Sequence, residues 1–168
     1  MNNKKDPTSV GDVLTRLNIM GIVMREIIPA VNTDAYTAED VLFAATMEIE
    51  RAATVKGGGG FIASVGLVDN GKQEADIDLL FFRSDVSAGT INAAEAISKT
   101  NGLQLIGKVN LSSYRTFANF SRAQKENINL PFECEEGSKK IYVTAVVNGT
   151  PTYLTAADLT LYVGIYRY

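Results

Sequence analysis

Four consecutive glycines, Gly57 to Gly60, run straight into Phe61-Ile62-Ala63-Ser64-Val65-Gly66-Leu67-Val68 and then Asp69-Asn70-Gly71. Such a glycine run gives up helix stability at every position, so no helix passes through it. The apolar segment after it reads as a strand, and Asp-Asn-Gly reads as a tight turn. A second strand pattern follows over Glu74 to Phe82. There Ile77, Leu79 and Phe81 share one face, while Asp76, Asp78, Leu80 and Phe82 share the other. Together the two segments predict a β-hairpin near the middle of the chain. The second face of that hairpin starts polar and ends apolar. A strand of that kind is central in a packed sandwich or is covered by a neighbouring subunit.

The same short-strand rhythm recurs elsewhere. Strand patterns are expected over residues 20–32, 41–46, 103–111, 127–132, 140–147 and 158–168, with a continuation over 150–154. Residues 47–56 fit helix and strand about equally, and 91–100 fit either a helical turn or a strand edge. Tyr114, Phe117 and Phe120 supply aromatic anchors. Pro131 cannot donate to a ladder, which puts its strand at an edge. In the last segment Leu159, Leu161, Val163 and Ile165 form an inward face, and Thr160, Tyr162, Tyr166 and Tyr168 form the other. Many short strands with turn residues between them predict an all-β, two-layer antiparallel β-sandwich. No repeat period divides the 168 residues. The expected organisation is an N-terminal arm or short helix over 1–20 and one β-sandwich domain over 21–168.

The missing residue types exclude chemistry. The chain has no histidine, which removes Ser-His-Asp and Cys-His nucleophiles and histidine metal sites. A single cysteine, Cys134, permits no intrachain disulfide and no cysteine zinc site. Its neighbours Glu133, Glu135 and Glu136 raise the pKa of its thiol, so it is read as inert. The chain is therefore expected not to be an enzyme and to need no cofactor or metal. A net charge of −3 gives no footprint for nucleic acid or an anionic membrane surface. No apolar run approaches the roughly 18 residues of a membrane span. Asp12, Thr15, Arg16 and Asn18 interrupt the segment after Lys4 and Lys5, so no signal peptide is expected. The sequons at Asn110, Asn119 and Asn148 are then chance matches.

Three constellations invite a functional reading and each has a simpler one. The glycine run lacks the Gly-Lys-Ser/Thr of a phosphate loop and opens a strand, which points to a bulge or a close backbone approach. Asp69, Asn70, Asp76 and Asp78 are chemically suitable for calcium, but a turn and a solvent face explain them. Glu133, Glu135, Glu136, Asp76 and Asp78 offer carboxylates for glycoside hydrolysis, with nothing placing two of them across a cleft. Tyr162, Tyr166 and Tyr168 with Arg167 are different, because Tyr and Arg favour interfaces. Packing against the second sheet is the competing explanation. Ile19, Met20 and Ile22, beside a polar start, complete the candidate interface.

The order Tyr36-x-x-x-Asp40-Val41-Leu42, Gly57-Gly58-Gly59-Gly60-Phe61-Ile62-x-Ser64-Val65-x-Leu67-x-Asp69, Asp78-Leu79-x-Phe81-Phe82, Ile106-Gly107-x-Val109, Gly149-Thr150-Pro151-Thr152-Tyr153 and Leu159-Thr160-Leu161 resembles small virion structural proteins of tailed bacteriophages, including crAss-like phages. The resemblance spans about residues 36–166 and carries no catalytic residues. It implies a jelly-roll-like sandwich acting as an auxiliary or decoration protein that binds and stabilises a capsid shell. It further implies assembly in the host cytoplasm, a homo-oligomer in the particle, and the major capsid protein or other virion proteins as partners. A ring or adaptor component at the portal-tail junction and a carbohydrate-binding adhesion module are the alternatives.

Overall fold

The computed structural model of the chain describes residues 21–43 and 46–168. Its strands are β1 (Ile22–Ile27), β2 (Met47–Ile49), β3 (Gly59–Asp69), β4 (Ile77–Phe82), β5 (Leu105–Leu111), β6 (Tyr114–Thr116), β7 (Ser121–Lys125), β8 (Leu130–Glu133), β9 (Ile141–Val147) and β10 (Leu159–Arg167). A single helical turn, Lys99–Gly102, is capped by Ser98, whose side chain accepts from the Asn101 N–H. A six-stranded sheet has the order β1-β10-β3-β7-β6, with β8 also on β3. A four-stranded sheet has the order β2-β9-β4-β5. All pairings between these strands are antiparallel. The paths β1-β10-β3-β7 and β2-β9-β4-β5 make the eight-stranded order of a jelly roll.

Alternation explains the core. In β10 the predicted inward set Leu159, Leu161, Val163 and Ile165 is buried, as are Ile62, Val65 and Leu67 of β3. They meet Ile77, Leu79 and Phe81 of β4 and Ile141, Val143, Ala145 and Val147 of β9. The glycine run is a close backbone approach. A Cβ on Gly59 would stand 2.5 Å from the Phe132 carbonyl oxygen, and one on Gly60 would strike the Tyr166 carbonyl.

Several expectations are corrected. β3 and β4 do not form a hairpin; they lie in different sheets. Asp69-Asn70-Gly71 opens a longer reversal in which Lys72 and Glu74 are left-handed, and the Asp69 carboxylate accepts the Glu74 N–H at 2.9 Å. β4 is apolar on both faces for much of its length, so it takes its own central place between β9 and β5. Val41 and Phe43 form isolated bridges rather than a strand, and Ala44 and Ala45 lie outside the described residues. The 20–32 pattern shortens to β1, and 47–56 yields three strand residues before Arg51 turns left-handed. Residues 150–154 are not a strand; Tyr153 is buried edge-on against Tyr36 instead. β7 was not foreseen, because only Ser121 and Ala123 of its five residues face the core. The expected arm or helix over 1–20 lies outside the described residues.

Candidate functional site

The outer face of the six-stranded sheet carries an apolar row fixed by register. Ile22 lies opposite Tyr166, Tyr166 opposite Phe61, and Phe61 opposite Pro131, across β1, β10, β3 and β8. Directly opposite residues share a face, so all four point outward. Ile22 is 61% exposed and Phe61 36%. Met24 and Tyr168 extend the row on either side, and both are exposed. The Phe61 and Tyr168 rings lie 6.1 Å apart, tilted against each other. Met24 Sδ and Ile22 Cγ2 lie 3.1 and 3.6 Å from where a Cβ of Gly164 would stand, so both side chains fold over the glycine.

A β-bulge sets this row. Gly164 pairs with Ser64, but Ile165 pairs with Ile62, so Ala63 is the extra residue of β3. The extra residue exchanges the two faces. Beyond it Val65, Leu67 and Asp69 point inward; before it Ile62 does, and Phe61 is turned outward. Without the bulge, Phe61 would continue the inward set.

Beside the row lies a groove of about 440 Å³, within the usual size for small-molecule sites. Phe61, Tyr166 and Ile22 form one bank, and Glu126, Asn127 and Asn129 form the other. The Ile128 N–H donates to the Ala63 carbonyl at 3.0 Å and pins the second bank to the bulge. Asn127 and Asn129 flank it with left-handed backbones, which asparagine tolerates better than most residues.

The structure brings Ile22, Tyr166 and Tyr168 of the sequence-derived interface together. Tyr162 is half-buried on the same face, opposite Glu26 and Gly66. Arg167 alternates to the other face, where its Nη1 donates to the Arg51 carbonyl at 3.3 Å. Ile19 and Met20 lie outside the described residues. Phe61, Met24 and Pro131 were missed as surface residues. The first two resembled core positions of their strands, and only a bulge or an edge position distinguishes them.

The other candidates disperse. Asp76 and Asp78 share the Asn110 side chain, and Lys108 bonds Asp78 at 3.0 Å. Burial opposes the charge on Asp78, but bonds from Asn110, Asn148 and Lys108 outweigh it and hold the carboxyl below its usual pKa. Asp69 is buried at the end of β3, where desolvation raises its pKa against the pull of loop N–H groups. Glu133 stands on the outer face of β8, and Glu135 and Glu136 in the following turn. Among the described residues no three acidic or cysteine side chains converge as metal ligands. Cys134 is buried, and burial pushes its thiol up to about 11.

No family model and no curated protein matches the chain. Among solved structures it is similar to the crystal structure of tomato aspermy virus, at 9% identity over 86% of this chain and 74% of that one, with a TM-score of 0.40. It is also similar to a structure of the infectious bursal disease virus Gx strain, at 10% identity over 87% and 36% of the two chains, with a TM-score of 0.20. Both overlaps are too low to establish a shared role, and the jelly-roll assignment stands on strand order alone.

Proposed function

We propose that this chain is a non-enzymatic structural component of a phage virion, of the auxiliary or decoration type that binds and stabilises the capsid shell. The observation that carries the reading is the exposed apolar row Ile22–Tyr166–Phe61–Pro131. Apolar side chains aligned across four strands on an open sheet face mark an interaction surface. A jelly roll supplies the rigid platform, and many copies of one modest contact add through multivalency. The resemblance to tailed-phage virion proteins supplies the partner, the major capsid protein, with further copies of this chain beside it. Residues 1–20 serve in this reading as an arm onto a neighbour.

Co-sedimentation of the purified chain with capsid shells tests the proposal. Ile22→Asp with Met24→Asp should reduce shell binding at least tenfold while the circular-dichroism spectrum is unchanged. Deleting 1–18 should also lower incorporation. Undiminished binding of the double variant rejects the row as the contact. Bound copies arranged as a ring with cyclic symmetry, rather than on the shell lattice, would move the role to the portal-tail junction.

The groove favours a second reading, a carbohydrate-binding module. Phe61 and Tyr166 offer ring faces, and Asn127 and Asn129 offer amides that both donate and accept. Saturation-transfer NMR with neutral trisaccharides tests it: transfer that disappears in Phe61→Ala supports this reading, and its absence removes it.

A further inference from the structure

Asparagine is followed by glycine at Asn70-Gly71, Asn101-Gly102 and Asn148-Gly149. The pair carries a chemistry of its own. The backbone nitrogen after an asparagine can attack the side-chain amide carbon, and glycine hinders the attack least because it has no Cβ and turns freely. The attack needs an unengaged nitrogen, a side chain able to swing onto it, and space for the backbone to rotate. The fold grants these conditions unequally. Asn101 fails the first two. It lies in the helical turn Lys99–Gly102, where the Gly102 N–H donates to the Ser98 carbonyl at 2.8 Å. Its own side-chain amide donates to the Ser87 carbonyl at 3.0 Å. Asn70 has an exposed side chain, but Gly71 is wedged. A Cβ there would stand 3.2 Å from Asp158 Oδ2, 3.3 Å from Asp69 Oδ1 and 3.5 Å from Tyr153 Cδ1. The Gly71 N–H is also among the loop groups drawn onto the buried Asp69 carboxylate.

Asn148, exposed just past the end of β9, meets all three conditions. Among the described residues the Gly149 N–H makes no hydrogen bond. Nothing stands within 4 Å of where a Gly149 Cβ would be. The Asn148 amide donates to Asp76 Oδ1 over a long and exposed 3.3 Å. Asp76 does not depend on that bond, since Asn110 donates to the same oxygen. The flanks of the pair are fixed. The Asn148 N–H donates to the Asp76 carbonyl at 2.7 Å, and the Tyr36 N–H to the Pro151 carbonyl at 3.0 Å. A short bridge can therefore rotate while its two ends stay in place.

We propose that Asn148-Gly149 is a self-modification site, at which the folded chain converts Asn148 to aspartate and isoaspartate. The Gly149 nitrogen loses its proton to hydroxide and bonds to Asn148 Cγ. The Cγ–Nδ2 bond breaks, and the amide group takes a proton from water and leaves as ammonia. Water then opens the five-membered imide at either carbonyl. Opening at one gives aspartate; opening at the other gives isoaspartate, with the backbone routed through the former side chain. One water is consumed, one ammonia is released, and nothing is oxidised or reduced. Either product puts a carboxylate where an amide had donated to Asp76. Asp78 loses a donor as well, since Asn148 helps hold its carboxyl low. Like charges side by side are destabilising, so the reaction loosens the Asp76–Asn110–Asp78 cluster where β4 begins and β9 ends. The site lies on the other sheet from the apolar row and does not depend on the assembly reading.

The experiment is incubation of the full chain at pH 8.5 and 37 °C, against a sample held at pH 5, followed by intact mass and peptide mapping. The folded chain should gain about 1 Da, faster at the higher pH, as an amide becomes an acid. Both aspartate and isoaspartate should map to residue 148, with residues 70 and 101 still amides. In urea the three sites should react at similar rates, because the selection comes from the fold. Gly149→Ala, which the open space and the absence of a left-handed φ admit, should slow the gain about tenfold or more with an unchanged circular-dichroism spectrum. Asn148→Asp should melt about 2–4 °C below Asn148→Ser, which removes the amide without adding charge. No gain at residue 148, a gain at 70 or 101 as fast in the folded chain, or an undiminished gain in Gly149→Ala overturns the site. Equal melting of the Asn148→Asp and Asn148→Ser chains overturns the effect on the carboxylate cluster.

Discussion

The two sheets of this molecule treat their outer faces in opposite ways. On the four-stranded sheet Leu80, Phe82 and Val146 point away from the main core, yet all are buried. They form a second cluster with Val86, and Ile97 and Tyr142 pack against it. The connection between β4 and β5 supplies the cover, held by bonds such as Val41 N–H to the Ala93 carbonyl at 2.9 Å and Ala96 N–H to the Ala88 carbonyl at 2.8 Å. On the six-stranded sheet Ile22, Met24, Phe61 and Tyr168 also point outward, and no described segment lies over them. Apolar side chains on an outer face thus have two fates in one chain. The face covered by its own loop contributes to stability; the other, bare among the described residues, is the one to which the proposed function assigns a partner.

The largest expected effect breaks or confirms that contrast. Phe82→Ala should cost about 3–5 kcal/mol in urea unfolding, as for a fully buried aromatic, while Phe61→Ala should stay within about 1 kcal/mol. Equal losses at the two positions would mean that the bare face is covered after all. Next comes the thiol. Cys134, behind the glycine run, bonds the Gly58 carbonyl through its N–H at 2.9 Å. Ellman's reagent at pH 8 should leave it unmodified in the folded protein and titrate one thiol in denaturant, because it is both buried and un-ionised there. Rapid labelling of the folded chain would reveal opening of the six-stranded side.

The smallest effect concerns the solvent edge of the covered sheet. Lys108→Ala removes an ion pair whose lysine is 57% exposed, and should cost less than about 1 kcal/mol at neutral pH. Asp78 has a depressed pKa in the folded state, so its contribution is present above the unfolded value near 3.8 and is lost as the pH falls through the folded one. The difference between wild type and variant should therefore shrink below pH 4 in urea titrations. A difference that grows in acid would reverse the assignment.

Legibility followed locality. The inward set of β10 and the two-faced apolar end of β4 were readable, because alternation is a property of one strand. Their partners were not. Asp69-Asn70-Gly71 resembles a hairpin turn in any short window, and only the competing demand of β4 for two neighbours sends the chain to the other sheet. In the candidate site Tyr166 and Ile22 were found from residue type and position. Phe61 was hidden, because a single inserted residue, Ala63, reverses its face without leaving a mark in the pattern.

The amino-acid order alone determined the extended, two-layer character of the chain and the absence of histidine and disulfide chemistry. Both come from the side-chain inventory and from the two-residue repeat of a strand. The tertiary structure decided which outer face is covered and where the arginines gather. Arg25, Arg51 and Arg167 stand on three separate segments, and only the closure of β1 and β10 over the end of β2 brings them to one carbonyl. Contacts between residues more than a hundred positions apart depend on which strands pair, and pairing is settled by the whole core at once.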